Sequence, residues 1–210
     1  TTLVITGFAL KFPDAWWVKP LTWLGMAETT RRWVHRIAGV VMLVQSVVYL
    51  GYLLFHRAGR RDLVAMLPRL TDVRDLRTNV LYRLGRAPAE PLFARYTYVE
   101  KAEFWAVVWG TVIMGASGLT LWFPEVATRF LPGLVVSLAE IVHYYEAWLA
   151  TLAIVVWHFF YVILYPGEYP VNLTVFDGRI TEESLAAHHP LEYQEIKAAE
   201  EKGAGAAPRA

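Results

Sequence analysis

The chain has 210 residues, 56% of them hydrophobic, with nine Trp and a formal net charge of +1. Soluble domains are about 45–50% apolar, so this composition points to a membrane protein, and the near-neutral charge offers nucleic acid no electrostatic foothold. The absence of cysteine excludes thiolate-bound iron–sulfur clusters, Cys-based zinc sites, disulfides and covalently attached haem.

In chain order, the first apolar stretch, residues 3–10, falls far short of the roughly 20 residues that span hydrocarbon. Neither a basic start nor a small-residue cleavage site marks a signal peptide. Residues 1–12 therefore read as the end of a first transmembrane helix whose earlier half lies outside this sequence. A short surface-lying segment is the plainer alternative. Three full spans are expected over residues 33–56, 104–123 and 138–165, with Pro124 and Pro166 ending the last two. Trp16, Trp17 and Trp23, then Trp122 and Phe123, then Tyr165 mark the membrane interfaces. The expected fold class is an all-α membrane protein, a four-helix transmembrane bundle whose first helix is only partly present.

Residues 57–103 hold ten Lys/Arg against six Asp/Glu, whereas the two connections expected on the other side hold six Lys/Arg. The positive-inside rule places this segment and the soluble tail, residues 166–210, in the cytoplasm. Within it, residues 63–70 and 76–84 read as short amphipathic helices near the headgroups. In the tail, Thr181 is placed to cap a helix that Pro190 breaks, and residues 203–210 are low-complexity and read as disordered.

Ionisable side chains inside a span are expensive and tend to be functional. His143 and His158 lie fifteen residues apart on one span, about 22 Å along a regular helix and about 60° apart around it. One imidazole near each leaflet suits a helix that ligates two stacked haems. His35 opens the first full span and matches His143 in depth if helices alternate in direction, so the two can bracket one iron. Gly39 and Ala147, four residues on from each, clear space for a flat porphyrin. Arg31, Arg32 and Arg36 cluster at that level, where they can meet anionic propionates. His158 needs its own partner. A histidine on the absent half of the first helix is the preferred one, and His56, about 9 Å too deep, is the alternative. His188 and His189 read as solvent-exposed. Gly110, Gly115, Ser117 and Gly118 suit close helix packing, with room for a haem edge an inseparable second reading.

These residues resemble the di-haem cytochrome b subunits of membrane-bound formate dehydrogenases and the similar thiosulfate-reductase and hydrogenase cytochrome b subunits. The resemblance is carried by Arg32-Trp33-Val34-His35 with Gly39, and by Arg95-Tyr96 through Glu100-Lys101 with Phe104-Trp105. It continues in Ser117-Gly118-Leu119 with Leu121-Trp122-Phe123, in His143 and His158, and in Gly7-Phe8 followed by Phe12-Pro13. It implies four transmembrane helices and two b haems, the outer on His35 and His143, the inner on His158 and a first-helix histidine. It also implies a quinone site near the cytoplasmic haem, and a redox partner, a multihaem cytochrome or iron–sulfur/molybdenum subunits, at the opposite face.

The function expected is an electron-transfer subunit of a quinone-linked oxidoreductase complex in a bacterial or archaeal cytoplasmic membrane. Tyr96, Tyr98, Glu100 and Glu103 are placed to handle quinone protons. The alternatives are a non-redox membrane anchor for a peripheral enzyme, or a proton-relay subunit in which Glu146 joins the histidines.

Overall fold

The structure, a computed structural model, describes residues 1–164 and 174–201. Helices account for the regular structure among the described residues. In chain order they are α1 (Thr2–Lys11), α2 (Val18–Trp23), α3 (Glu28–Phe55), α4 (Arg57–Met66), α5 (Leu70–Arg83), α6 (Tyr98–Trp122), α7 (Pro124–Phe130), α8 (Leu134–Leu152), α9 (Thr174–Asp177), α10 (Glu182–His188) and α11 (Pro190–Glu201). Two π-helical turns, Ala153–His158 and Phe160–Leu164, continue α8. Tyr165, the Pro166 stop and the 203–210 tail lie outside the described residues.

Among the described residues, three helices are long and apolar enough to cross a membrane: Glu28–Phe55, Tyr98–Trp122 and Leu134–Leu164. The apolar α1 is shorter, at 10 residues. Val41, Val44, Val47 and Val48 on α3, Val107 and Val112 on α6, and Ile141 and Leu149 on α8 are all exposed. Apolar surface on that scale is rare in water and ordinary against hydrocarbon, where each helix satisfies its own backbone.

The helices that carry the expected spans begin before their apolar parts. The α3 helix starts at Glu28 rather than at 33, with the Ala27 carbonyl accepting from Arg31 N and an acid in the first turn. The α6 helix starts at Tyr98 rather than at 104, because Thr97 and Glu100 form a capping box. Thr97 N donates to Glu100 Oε2 (2.8 Å) and Glu100 N donates to Thr97 Oγ1 (3.2 Å). Hydropathy marks the apolar part of a helix, not its hydrogen-bonded ends. The amphipathic pair is displaced for the same reason. His56 caps α4 at Arg57, and α5 closes at Gly85, whose φ of 69° suits glycine, with Arg86 N bonded to Leu81 O at 2.7 Å.

The chain divides into two compact units. The first, Thr1–Tyr52 with Val107–His158, gathers α1, α8 and most of α3 and α6. Lys11 on α1 pairs with Glu140 on α8 at 3.0 Å, Phe12 meets Tyr144, and Phe8 packs at a tilt on Trp148 with centroids 4.6 Å apart. Those pairings run antiparallel. Leu43 lies against Gly115, where an added Cβ would come 2.8 Å from Leu43 Cδ2, so α3 and α6 approach closely.

The second unit comprises Leu53–Ala106 and the described residues from Phe159 onward. Here α4 and α5 are tied to the start of α6. Trp105 Nε1 donates to Met66 O at 2.9 Å, Asn79 Nδ2 donates to Tyr98 Oη at 2.9 Å, and Lys101 Nζ pairs with Asp72 Oδ1 at 2.7 Å. Leu191 N and the His189 ring reach the Phe93 and Ala94 carbonyls, which docks α11 on the segment before α6. Thr181 Oγ1 accepts from Ser184 N and caps α10, and Pro190 opens α11.

Glu182 joins α10 to α11 through Lys197 and Tyr193. The hydrogen bond from Lys197, then that from Tyr193, holds its carboxyl below the ordinary carboxylate range. A pKa depressed on folding stabilises fully above the unfolded value and fades as pH falls through the folded one. Exchange protection of α10 and α11 should therefore hold from pH 7 to 5 and decline below about pH 4, and Glu182→Gln should show a weaker decline.

Candidate functional site

The first unit brings His35 and His143 together. Their ring centroids lie 6.3 Å apart, and the ring planes cross at 72°. His35 lies two turns into α3 and His143 nearly three turns into α8, so two separate helices present the pair. Each ring is held from behind by a helix that neither histidine belongs to. Thr6 Oγ1 on α1 is 3.0 Å from His35 Nδ1, and Ser117 Oγ on α6 is 2.9 Å from His143 Nδ1. A glycine follows each hydroxyl. A Cβ on Gly7 would stand 3.1 Å from His35 Cε1, and one on Gly118 would stand 3.3 Å from His143 Cε1. A Cβ on Gly39 would meet nothing within 4 Å.

The arginines divide. Arg31 is buried and committed to the turn before α3, donating to Thr22 Oγ1 and to the Met26 carbonyl, both at 3.0 Å. That engagement takes it out of the expected cluster. Arg32 is exposed and paired with Glu28 on the same helix. Arg36 lies between two indoles, its guanidinium carbon 5.7 Å from the Trp33 ring centroid and 5.1 Å from that of Trp122. Its edge remains a fork of donors one residue from His35.

Gly110, Gly115, Ser117 and Gly118 separate into two roles. Gly110 admits Glu146 Oε1, which a Cβ would meet at 2.9 Å, and Gly115 admits Leu43. Ser117 and Gly118 instead face the His143 ring. The space at Gly118 is therefore taken by imidazole. Thr6 went unrecognised by sequence reasoning, although Thr6-Gly7 repeats the hydroxyl–glycine step of Ser117-Gly118 at the matching level.

His158 ends the first π-helical turn and is exposed. Wider turns advance less than 100° per residue, so six such steps swing it on the order of 100° from its regular-helix position. The 60° offset from His143 expected for an unbroken helix does not carry over. His56 is the N-cap of α4, where its Nδ1 accepts from Ala58 N at 3.3 Å, so one ring nitrogen serves the backbone. Glu100, expected near proton chemistry, is spent in the capping box. Tyr98 accepts from Asn79, and Tyr96 stacks under Arg95.

Among the described residues no cluster of three or more His, Asp or Glu side chains is placed to hold a metal ion. Two facing imidazoles alone fit a metal that brings its remaining ligands with it. A metal–imidazole bond of about 2 Å and roughly 1.2 Å from nitrogen to ring centre put two such rings about 6.4 Å apart across one ion. The observed separation fits that arrangement.

A family model described as prokaryotic cytochrome b561 matches residues 1–169. The chain is also similar to the cytochrome b556(fdo) subunit of formate dehydrogenase from Escherichia coli strain K12. The two are 24% identical over 201 residues, covering 95% of this chain and 86% of that protein. The corresponding subunits of Escherichia coli O6:H1 and O157:H7 match to the same extent. With the family model covering most of its length, the three apolar spans and the facing histidine pair, the chain belongs to the prokaryotic cytochrome b561 family.

Proposed function

We propose that this chain is a di-haem subunit that passes electrons between an extracytoplasmic redox partner and the membrane quinone pool. Family membership makes it a membrane cytochrome b of prokaryotic electron transfer, and the finer reading builds on that. The observation that carries it is the His35–His143 pair, 6.3 Å apart across the first unit. His35 and His143 are the proposed axial ligands of one haem, and His158 is a proposed ligand of a second. A bound b haem supplies a one-electron carrier whose potential the protein tunes through axial ligation and burial.

The chain's own residues do the rest. The α3 and α8 helices fix the two imidazoles on a rigid frame, and Gly39 leaves the space beside His35 clear. Arg36, braced between Trp33 and Trp122, is the proposed partner of a propionate. The short α1 is proposed as part of a fourth membrane helix. Residues 57–103 and the C-terminal tail are proposed to face the cytoplasm.

The name of the Escherichia coli relative, a formate dehydrogenase cytochrome subunit, supports a place in a larger oxidoreductase complex here too. The catalytic partner is proposed to be a multihaem cytochrome or iron–sulfur/molybdenum subunits. The test is reduction by quinol. In lipid vesicles, a short-chain menaquinol or ubiquinol should reduce the bound haem within seconds. Haem-replete protein that neither quinol reduces, and that neither quinone reoxidises, contradicts the quinone link. A purified chain that binds no haem contradicts the whole reading and favours a simple anchor.

A further inference from the structure

Two hydroxyl–glycine steps on different helices grip the two histidines in the same way. Thr6 is 2% exposed and Ser117 is 6% exposed, so neither hydroxyl competes with bulk water. Each hydroxyl has one proton, and each proton already has a place. Thr6 Oγ1 lies 2.7 Å from the Thr2 carbonyl, and Ser117 Oγ lies 2.7 Å from the Ile113 carbonyl, four residues back in each helix. A carbonyl only accepts, so the hydroxyl donates there and has lone pairs left for the imidazole. The histidine nitrogen facing it is then the donor. In a neutral imidazole with hydrogen on Nδ1, the free lone pair sits on Nε2.

We propose that Thr6 and Ser117 are positioning residues that hold His35 and His143 as Nδ1–H tautomers and strengthen Nε2 as an electron donor. They thereby set the redox potential of the haem held between the two histidines. This rests on the ligation reading above. A hydrogen bond from the far side of a ligating imidazole raises its basicity and locks its plane. A more basic ligand favours the more positive ferric iron and lowers the potential. Gly7 and Gly118 belong to the same device, because a methyl at either position would push the ring off its hydroxyl by a few tenths of an ångström.

Redox titration of the purified full chain, followed optically, tests this. Ser117→Ala leaves α6 intact, since the Ile113 carbonyl keeps its backbone donor. Second-shell losses typically weaken binding 10–100-fold. If the ferric state weakens tenfold more than the ferrous, the potential rises by about 59 mV. Ser117→Ala and Thr6→Val should each show such a rise, and Ser117→Thr the wild-type value. Loss of the haem in Ser117→Ala with retention in Ser117→Thr supports the same conclusion. Loss in both variants overturns it, because the hydroxyl is then not what matters. Unchanged potentials in Ser117→Ala and Thr6→Val, for a signal that His143→Ala removes, overturn the positioning role and leave the ligation reading standing. A haem signal that survives both His35→Ala and His143→Ala overturns the ligation reading itself.

Discussion

His143→Ala should remove one b-haem signal from the purified protein, and His35→Ala should remove the same signal. The two rings lie 6.3 Å apart across a gap that suits one iron, and each is the proposed counterpart of the other as its ligand. Deleting either would leave one imidazole for the iron and a space where a methyl group cannot reach. The expected result is loss of the low-spin species at that position, with the haem assigned to His158 retained. Pyridine haemochrome stoichiometry and reduced-minus-oxidised spectra read this directly. The double variant should lose no more than either single one, because ligands of one iron act as a unit. Independent losses from the two single variants would place the histidines at different haems.

The second large effect lies in the other unit and concerns folding. Lys101 Nζ meets Asp72 Oδ1 at 2.7 Å, with the lysine side chain only 9% exposed. Removing one partner strands a buried charge, at a cost of about 3–5 kcal/mol. Asp72→Ala should therefore destabilise the junction of α5 with α6 by that much. Titration with denaturing detergent and hydrogen exchange across α5 and residues 98–106 both measure it. The double change Asp72→Asn with Lys101→Met removes both charges but keeps an acceptor for Arg69 N, to which Asp72 Oδ2 bonds at 2.6 Å, and most of the loss should return. If the double variant is as unstable as Asp72→Ala, stranded charge is not the cause.

The histidine pair was legible because helix geometry is regular and ionisable residues inside apolar spans are few. Depth matching between His35 and His143 needed only residue counting and alternating helix direction, and α1, α3, α6 and α8 pack with that alternation. Thr6 was not legible, since a threonine in an apolar helix ordinarily bonds its own i−4 carbonyl and tells nothing more. It does form that bond; what the sequence hides is the imidazole on its other side. The helices start ahead of their apolar windows at the polar residues Glu28, Thr29 and Thr30 and at the Thr97–Glu100 capping box. Those ends are set by hydrogen bonds, while hydropathy reads only transfer energy.

The π-helical turns after Leu152 carried no distinct signal either. Ile154, Val155 and Val156 crowd that stretch with β-branched side chains, a pattern equally common in regular membrane helices. The 60° offset between His143 and His158 holds only for a regular helix, and the π-helical turns change it.

Electron paramagnetic resonance of the oxidised, purified chain tests the central claim most directly. If one haem iron were held by His35 and His143 with their ring planes crossed at 72°, its two π-bonding orbitals would lie nearly equal in energy and its low-spin ferric signal would be strongly anisotropic. The wild-type protein should show such a signal, and His143→Ala should lack it. A spectrum with only high-spin ferric haem, or a low-spin signal that persists unaltered in His143→Ala, contradicts the assignment of His35 and His143 to one iron.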